Sequence, residues 1–312
     1  MSAFGRMLEW DGISYEGTGG TCDKLTTSSA DEGVYNTAAD RELGGQLPTL
    51  IRGGIEIALA QLLSDIFQLL RQSLALGEDD LSDVAGASHL AALSAYRGEI
   101  SANLARLPKD RAGRNGLAEQ LLGVAREFSV ELPTLSAALS PREIAAHQRR
   151  AVLARTLARQ PIGGLDLDPE SILHELHGAF FAAMIITYAE ALSLLAAVPR
   201  LSGTPFEVVE AVRLWKEDSA TRATLLEEIA SVLEATPRLR NLLCDDDISE
   251  KLMAHQEYLR RAIWRAHQLG LLTPVLLAAL DYMDLRRDAW CPVNLVQVSV
   301  QPEGSRQPAF VN

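Results

Sequence analysis

Aromatic residues are scarce, at 5% of 312 positions, while Ala and Leu abound. That balance favours helices packed closely on one another. Positive charge is also in short supply: 29 Lys and Arg stand against 41 Asp and Glu, for a net charge of -12. A broad nucleic-acid surface is therefore excluded, though a small basic pocket for one anion is not. The three cysteines, Cys22, Cys244 and Cys291, lie far apart, with no C-x-x-C and no small disulfide framework. A reducing cytoplasm is the expected setting. The opening segment MSAFGRMLEWDG lacks a charged-then-apolar signal pattern. No run alternates short strands with helices, so a doubly wound sheet is not expected. The one Gly-rich cluster, GTGGT at 17–21, lacks the G-x-G-x-x-G spacing of a nucleotide loop and reads as a linker. No Ser-His-Asp, Cys-His or H-E-x-x-H arrangement suggests a hydrolase.

What is present is ordinary for a globular chain: 47% hydrophobic and 22% charged residues. Residues 1–44 carry Gly17, Gly19 and Gly20 with many Ser and Thr, and read as an N-terminal arm or small hairpin. From Pro48 the pattern turns helical. Leu47, Ile51, Ile55, Leu59, Leu62, Leu63, Ile66, Leu69 and Leu70 recur at three- and four-residue steps, which predicts a central helix with a wide apolar stripe. Further helices are expected at Ser88–Leu107, Leu117–Phe128, Pro141–Arg159, Pro169–Val198, Pro205–Leu214, Ala220–Glu234, Asp247–Leu269 and Pro274–Arg287. Asp168-Pro169-Glu170 supplies a capping side chain, a proline for the first position and a charge that suits the helix dipole. The most apolar stretch, Ala179–Val198, contains Tyr188 and Glu190 and reads as a buried core helix, not a membrane span of about 20 residues.

Several segments carry a resemblance. WRAHQLGLLTPVLLAALDYMDLRRDAWCPVNLVQ at 264–297 contains a G-x-x-x-P turn, a long helix, an arginine and a Pro-x-Asn-Leu-x-Gln segment. GQLPTLIRGGIEIALAQLLSDIFQLLR at 45–71, DRAGRNGLAEQLLGVAREFSVELP at 110–133, AFFAAMIITYAEALSLLA at 179–196 and LWKEDSATRATLLEEI at 214–229 precede it. Order and spacing resemble the C-terminal, all-helical domain of the 6-phosphogluconate dehydrogenase family. The resemblance implies an all-α domain over 45–299, a C-terminal tail over 300–312 and a homodimer. It also maps the family's site onto this chain, mostly onto other residue types. The catalytic lysine falls at Thr49, the asparagine at Gly53 and its histidine neighbour at Arg52. In the Lys-Trp-Thr motif, Glu119 and Leu121 stand for the lysine and threonine. The tail arginine falls at Val300, and the tail has no histidine. The acid survives as Glu56 and a phosphate-binding arginine as Arg222. Thr49 cannot serve as a base, and Glu119 would repel an anion.

Glu56 is thus the candidate catalytic acid/base, or else a surface pair with Arg52 at i,i+4. Arg222, with Lys216, Arg52 and Arg287, is a candidate for binding a polar or anionic ligand, or else Arg222 is an ion-pair partner of Glu217 or Asp218. His174 and His177 with Glu170 are too sparse for a metal site and read as a solvated face. His255, His267, Arg260, Arg261 and Arg265 form the most basic patch, which either lines an anionic-ligand site or, as the favoured reading, pairs with Asp245, Asp246 and Asp247. Trp215, Trp264 and Trp290 read as core. The expected function is a repurposed, cofactor-independent lyase, isomerase or cyclase step on a polar metabolite, without redox activity. The alternative is a non-catalytic scaffold, a ligand sensor or a partner of another enzyme. No cofactor, metal, nucleic acid or membrane is expected.

Overall fold

The computed structural model describes residues 38–74, 88–108, 111–139, 168–202, 208–237 and 239–287. Among them every regular element is a helix. In chain order these are α1 (Ala38–Ser73), α2 (Ser88–Leu104), α3 (Arg111–Glu127), α4 (Pro133–Leu139), α5 (Pro169–Ser202), α6 (Val208–Glu217), α7 (Ala223–Ala235), α8 (Asp246–Gln268) and α9 (Pro274–Arg287). A 3-10 turn, Ala220–Arg222, joins α6 to α7, and another, Leu242–Cys244, precedes α8. The expected helix Pro141–Arg159, the C-terminal tail and most of the N-terminal arm lie outside the described residues.

The core follows from the apolar periodicity. All nine residues of the α1 stripe, from Leu47 to Leu70, are 3% exposed or less. The middle of α5 is apolar all round, with Phe180, Ala182, Ala183, Met184, Ile185 and Ile186 fully buried, as a central helix must be. It packs most extensively on α8 and on α1. Gln46–Ser73 and Pro169–Val198 are long and apolar enough to cross a membrane, but 67% and 78% of their most apolar windows are buried inside the protein. Close approach of α5 and α8 depends on Gly178, where a Cβ would lie 2.4 Å from Tyr258.

Local chemistry sets the ends. Asp168 caps α5, with its carboxylate accepting from the Ser171 N–H at 2.9 Å and the Ser171 hydroxyl at 2.8 Å. Asp245 caps α8 through the Ile248 N–H at 3.1 Å. α8 ends at Gly270, whose φ of 60° suits the left-handed closing residue, and Leu271 N–H returns to the Ala266 carbonyl at 2.7 Å. Pro274 then opens α9.

Four expectations change. α1 begins at Ala38, inside the stretch read as an arm: Ala38, Ala39, Arg41, Glu42 and Leu43 are good helix formers that the Gly44-Gly45 pair obscured. Trp264 is 61% exposed, not core, while Trp215 is buried and donates its indole N–H to the Pro48 carbonyl at 3.2 Å; Trp290 lies outside the described residues. The basic patch does not pair with Asp245–Asp247: Arg260 binds Asp284, Arg261 binds Glu257 and Arg265 binds Glu175. Cys244 is disulfide-bonded, so cysteine usage no longer argues for a reducing compartment.

The seven-residue α4, absent from the sequence reading, is held by a distant residue. Glu190 of α5 accepts the Thr134 N–H on both oxygens at 3.0 Å and the Leu135 N–H at 3.2 Å. Burial nevertheless pushes its carboxyl up to about 7, from 4.5. The folded state then holds this proton where the unfolded chain releases it. The contribution to stability is complete below pH 4.5 and disappears as pH rises to about 7. Relative to Glu190→Gln, the wild-type protein should lose stability across that window in urea titrations; a constant difference would contradict this.

Candidate functional site

Arg222 sits at the last position of the α6–α7 turn, which two backbone bonds close: Ser219 N–H to Lys216 O at 3.1 Å and Arg222 N–H to Ser219 O at 3.2 Å. The turn drives its side chain inward, to 0% side-chain exposure. A guanidinium never loses its charge in a protein, so burial requires acceptors on its N–H groups. Three elements supply them. Nε donates to Glu99 Oε1 of α2 at 2.8 Å, Nη1 to the Tyr188 hydroxyl of α5 at 3.1 Å, and Nη2 to Glu56 Oε1 of α1 at 2.8 Å.

The network extends outward. Asn103 Nδ2 donates to Glu56 Oε1 at 3.2 Å and to the Asp218 carbonyl at 3.1 Å. The Asp218 carboxylate meets Arg52 and Arg106, each at 2.6 Å. Glu99 also accepts the Thr221 N–H. Glu56 Oε2 is buried with no hydrogen-bond partner. Desolvation outweighs the attraction of Arg222 and raises the Glu56 carboxyl above its usual range. Burial likewise pushes the Tyr188 phenol up to about 12, so it stays neutral.

Of the five residues singled out from sequence, the structure brings Arg52, Glu56 and Arg222 together. Arg52 binds Asp218 and not Glu56, its neighbour on the helix. Lys216 pairs with Glu227 on the exposed side of α7. Arg287 bonds Gln256 at 2.6 Å on the outside of α8 and α9. Sequence reasoning missed Glu99, Asn103 and Tyr188. The one available signal was a polar residue on each apolar helix face.

Thr49 and Glu119 are exposed. A Cβ on Gly53 would lie 2.8 Å from Leu117 Cδ1, and one on Gly54 would lie 2.5 Å from Leu121 Cδ2. Two α3 leucines thus pack against the glycine face of α1.

His174 is exposed, as a solvated face requires, whereas His177 is half-buried. His89 of α2 approaches their rings to 4.9 and 5.3 Å, and His174 stacks edge-on against Tyr258 at 5.0 Å. His255 adds a fourth imidazole beside Phe181 at 4.9 Å. Among the described residues no three His, Cys, Asp or Glu side chains are placed to hold a metal ion. Nearby Glu175 is committed to Arg265, at 2.8 to 3.1 Å.

Two outcomes follow. Arg222→Met strands the buried Glu56 and the half-buried Glu99 and should cost about 3–5 kcal/mol in urea unfolding, whereas Arg213→Ala on the surface should leave the midpoint in place. A small effect of Arg222→Met would refute the buried-cluster geometry. Burial, with His89, His255 and His174 close by, pushes the His177 imidazole down to about 4 from 6.5. Its contribution is complete above pH 6.5 and is lost as pH falls to about 4. Acidification through that window should destabilise wild type more than His177→Gln; equal losses would contradict it.

The comparisons with known proteins agree with this architecture. Residues 45–301 match the family described as 6-phosphogluconate dehydrogenase, C-terminal domain. The chain is 26% identical over 272 residues to a chloroplastic, decarboxylating 6-phosphogluconate dehydrogenase of Arabidopsis thaliana, covering 81% of this chain and 56% of that protein. It is 27% identical over 285 residues to the decarboxylating enzyme of Synechococcus elongatus, covering 86% and 60%. In fold it is similar to Plasmodium falciparum 6-phosphogluconate dehydrogenase, with a TM-score of 0.69, 22% identity, and coverage of 84% of this chain and 59% of that one. The chain thus spans a little over half the length of the relatives it matches. By the profile match over most of its length, the chain belongs to the 6-phosphogluconate dehydrogenase family, through that family's all-helical C-terminal domain.

Proposed function

We propose that this domain is a non-catalytic helical partner, forming a homodimer and serving another protein instead of binding a sugar phosphate itself. The observation that carries this reading is the closure of Arg222. Glu99, Tyr188 and Glu56 occupy its nitrogens, and its side chain has no exposed surface. An arginine kept for a phosphate needs its donor edge free. Leu117 against Gly53 and Leu121 against Gly54 support the same reading, because they fill space a substrate would need. Thr49, where the family lysine falls, cannot take up a proton from a sugar hydroxyl. Support for a dimer comes from Trp264, Leu272, Leu277 and Leu285, large apolar side chains exposed on α8, α9 and the turn between them. Apolar residues gathered on one hairpin mark an interaction surface.

One observation favours a second reading. Glu56 keeps a buried, unpartnered oxygen, and burial raises its carboxyl pKa above the usual range, a shift in the direction a general acid needs. A cofactor-independent lyase, isomerase or cyclase step on a polar metabolite would use that proton. It requires the Arg222 bridge to open and admit the substrate.

Calorimetric titration with 6-phosphogluconate should show no saturable binding, and light scattering should give twice the chain mass at micromolar concentration. Saturable binding that Arg222→Lys abolishes would overturn the closed-cleft reading in favour of a working site. A single chain mass would overturn the dimer.

A further inference from the structure

The groove between α1 and α2 does not end at the buried cluster. One turn beyond Glu56 and Asn103, from Ala60 and Ile100 onward, it widens into a cavity of about 620 Å³. That volume falls in the range of small-molecule sites, roughly 300–1,000 Å³. Its floor is apolar, built from Leu63, Phe67 and Ile100, and its rim carries Arg71, Arg97 and Gln68.

Arg97 is the distinctive member. Its guanidinium carbon lies over the Phe67 ring, 4.8 Å from the centroid. Among the described residues it has no carboxylate partner, whereas Arg52, Arg106, Arg213, Arg222, Arg260 and Arg265 all do. Arg286 also lies over an aromatic ring, that of Tyr282, but of the two only Arg97 lines this cavity. The Phe67 ring holds the planar fork in place, so less freedom is lost when its N–H edge meets an acceptor. Arg71 also lines the cavity.

We infer that this cavity binds an organic monocarboxylate with a planar apolar body. The carboxylate meets the Arg97 fork in a bidentate pair, and the body lies on Leu63, Phe67 and Ile100. A fully hydrated inorganic anion would leave that apolar floor uncovered, and a carboxylate matches the fork in shape and charge. The exposed large hydrophobics that suit contact between copies lie on α8, α9 and the end of α6, not around this cavity. The site is independent of whether the Arg222 cluster is closed or catalytic.

The full chain is titrated with trans-cinnamate by calorimetry, with cinnamyl alcohol and inorganic phosphate as comparison probes. The site predicts saturable cinnamate binding that Arg97→Gln weakens at least about tenfold, the loss expected for a charge-assisted pair. Arg97→Lys, which keeps the charge and loses the fork, should weaken it as well. Arg213→Gln, on the far surface, should not. Cinnamyl alcohol should fail to bind and phosphate should fail to compete. The inference is overturned if cinnamate shows no saturation, or if Arg97→Gln leaves affinity within about twofold. It is also overturned if phosphate competes as well as cinnamate does, or if Arg97→Gln halves the mass in light scattering, which would make the groove an interface between copies.

Discussion

A buried guanidinium is among the most demanding groups a protein interior can hold. It cannot discharge itself, and each N–H left without an acceptor costs free energy. Arg222 meets this demand by drawing an acceptor from each of α1, α2 and α5. Glu56 lies in the buried part of this cluster, while Glu99 is half-buried. Burial raises the pKa of Glu56 and drives it toward its neutral form. Asn103 and Asp218 then tie the cluster to Arg52 and Arg106 at the rim. A single side chain therefore links α1, α2, α5 and the α6–α7 turn through one polar cluster.

The same constraint bears on chemistry. Arg222 and Glu56, expected from the resemblance to serve a ligand and a proton transfer, are each other's partner here. Glycines at 53 and 54 let Leu117 and Leu121 approach α1, so this face of α1 is packed hydrocarbon. Once such a surface is apolar, water and charged ligands lose their footing on it. An open volume lies one turn further along the α1–α2 groove, lined by different residues.

Much of the fold was legible because it rests on local rules. The Asp168-Pro169 start of α5 and the Gly270 and Pro274 signals flanking the α8–α9 turn depend only on neighbouring residues. The α1 stripe was legible because period and burial coincide. The short α4 was not, since seven residues cannot declare a period and Glu190, far away in sequence, supplies its cap. In the site, Glu56 and Arg222 could be named through the family resemblance. Glu99, Asn103 and Tyr188 could not, because their roles exist only where three helices meet. Lys216 and Arg287 failed to join the cluster for a similar reason. Proximity in sequence to Arg222, or membership of a matched segment, does not fix which helix face a side chain takes.

The central claim is that Arg222 and Glu56 stabilise each other inside a closed cluster, not across an open cleft. A double-mutant cycle on Arg222→Met and Glu56→Leu, read as unfolding free energies in urea, tests it most directly. Residues in one buried network should couple by about 1.5 kcal/mol or more, with the double variant more stable than the sum of the single losses. Additivity within about 0.5 kcal/mol would mean that the two side chains do not depend on one another, and the closed cluster would be contradicted.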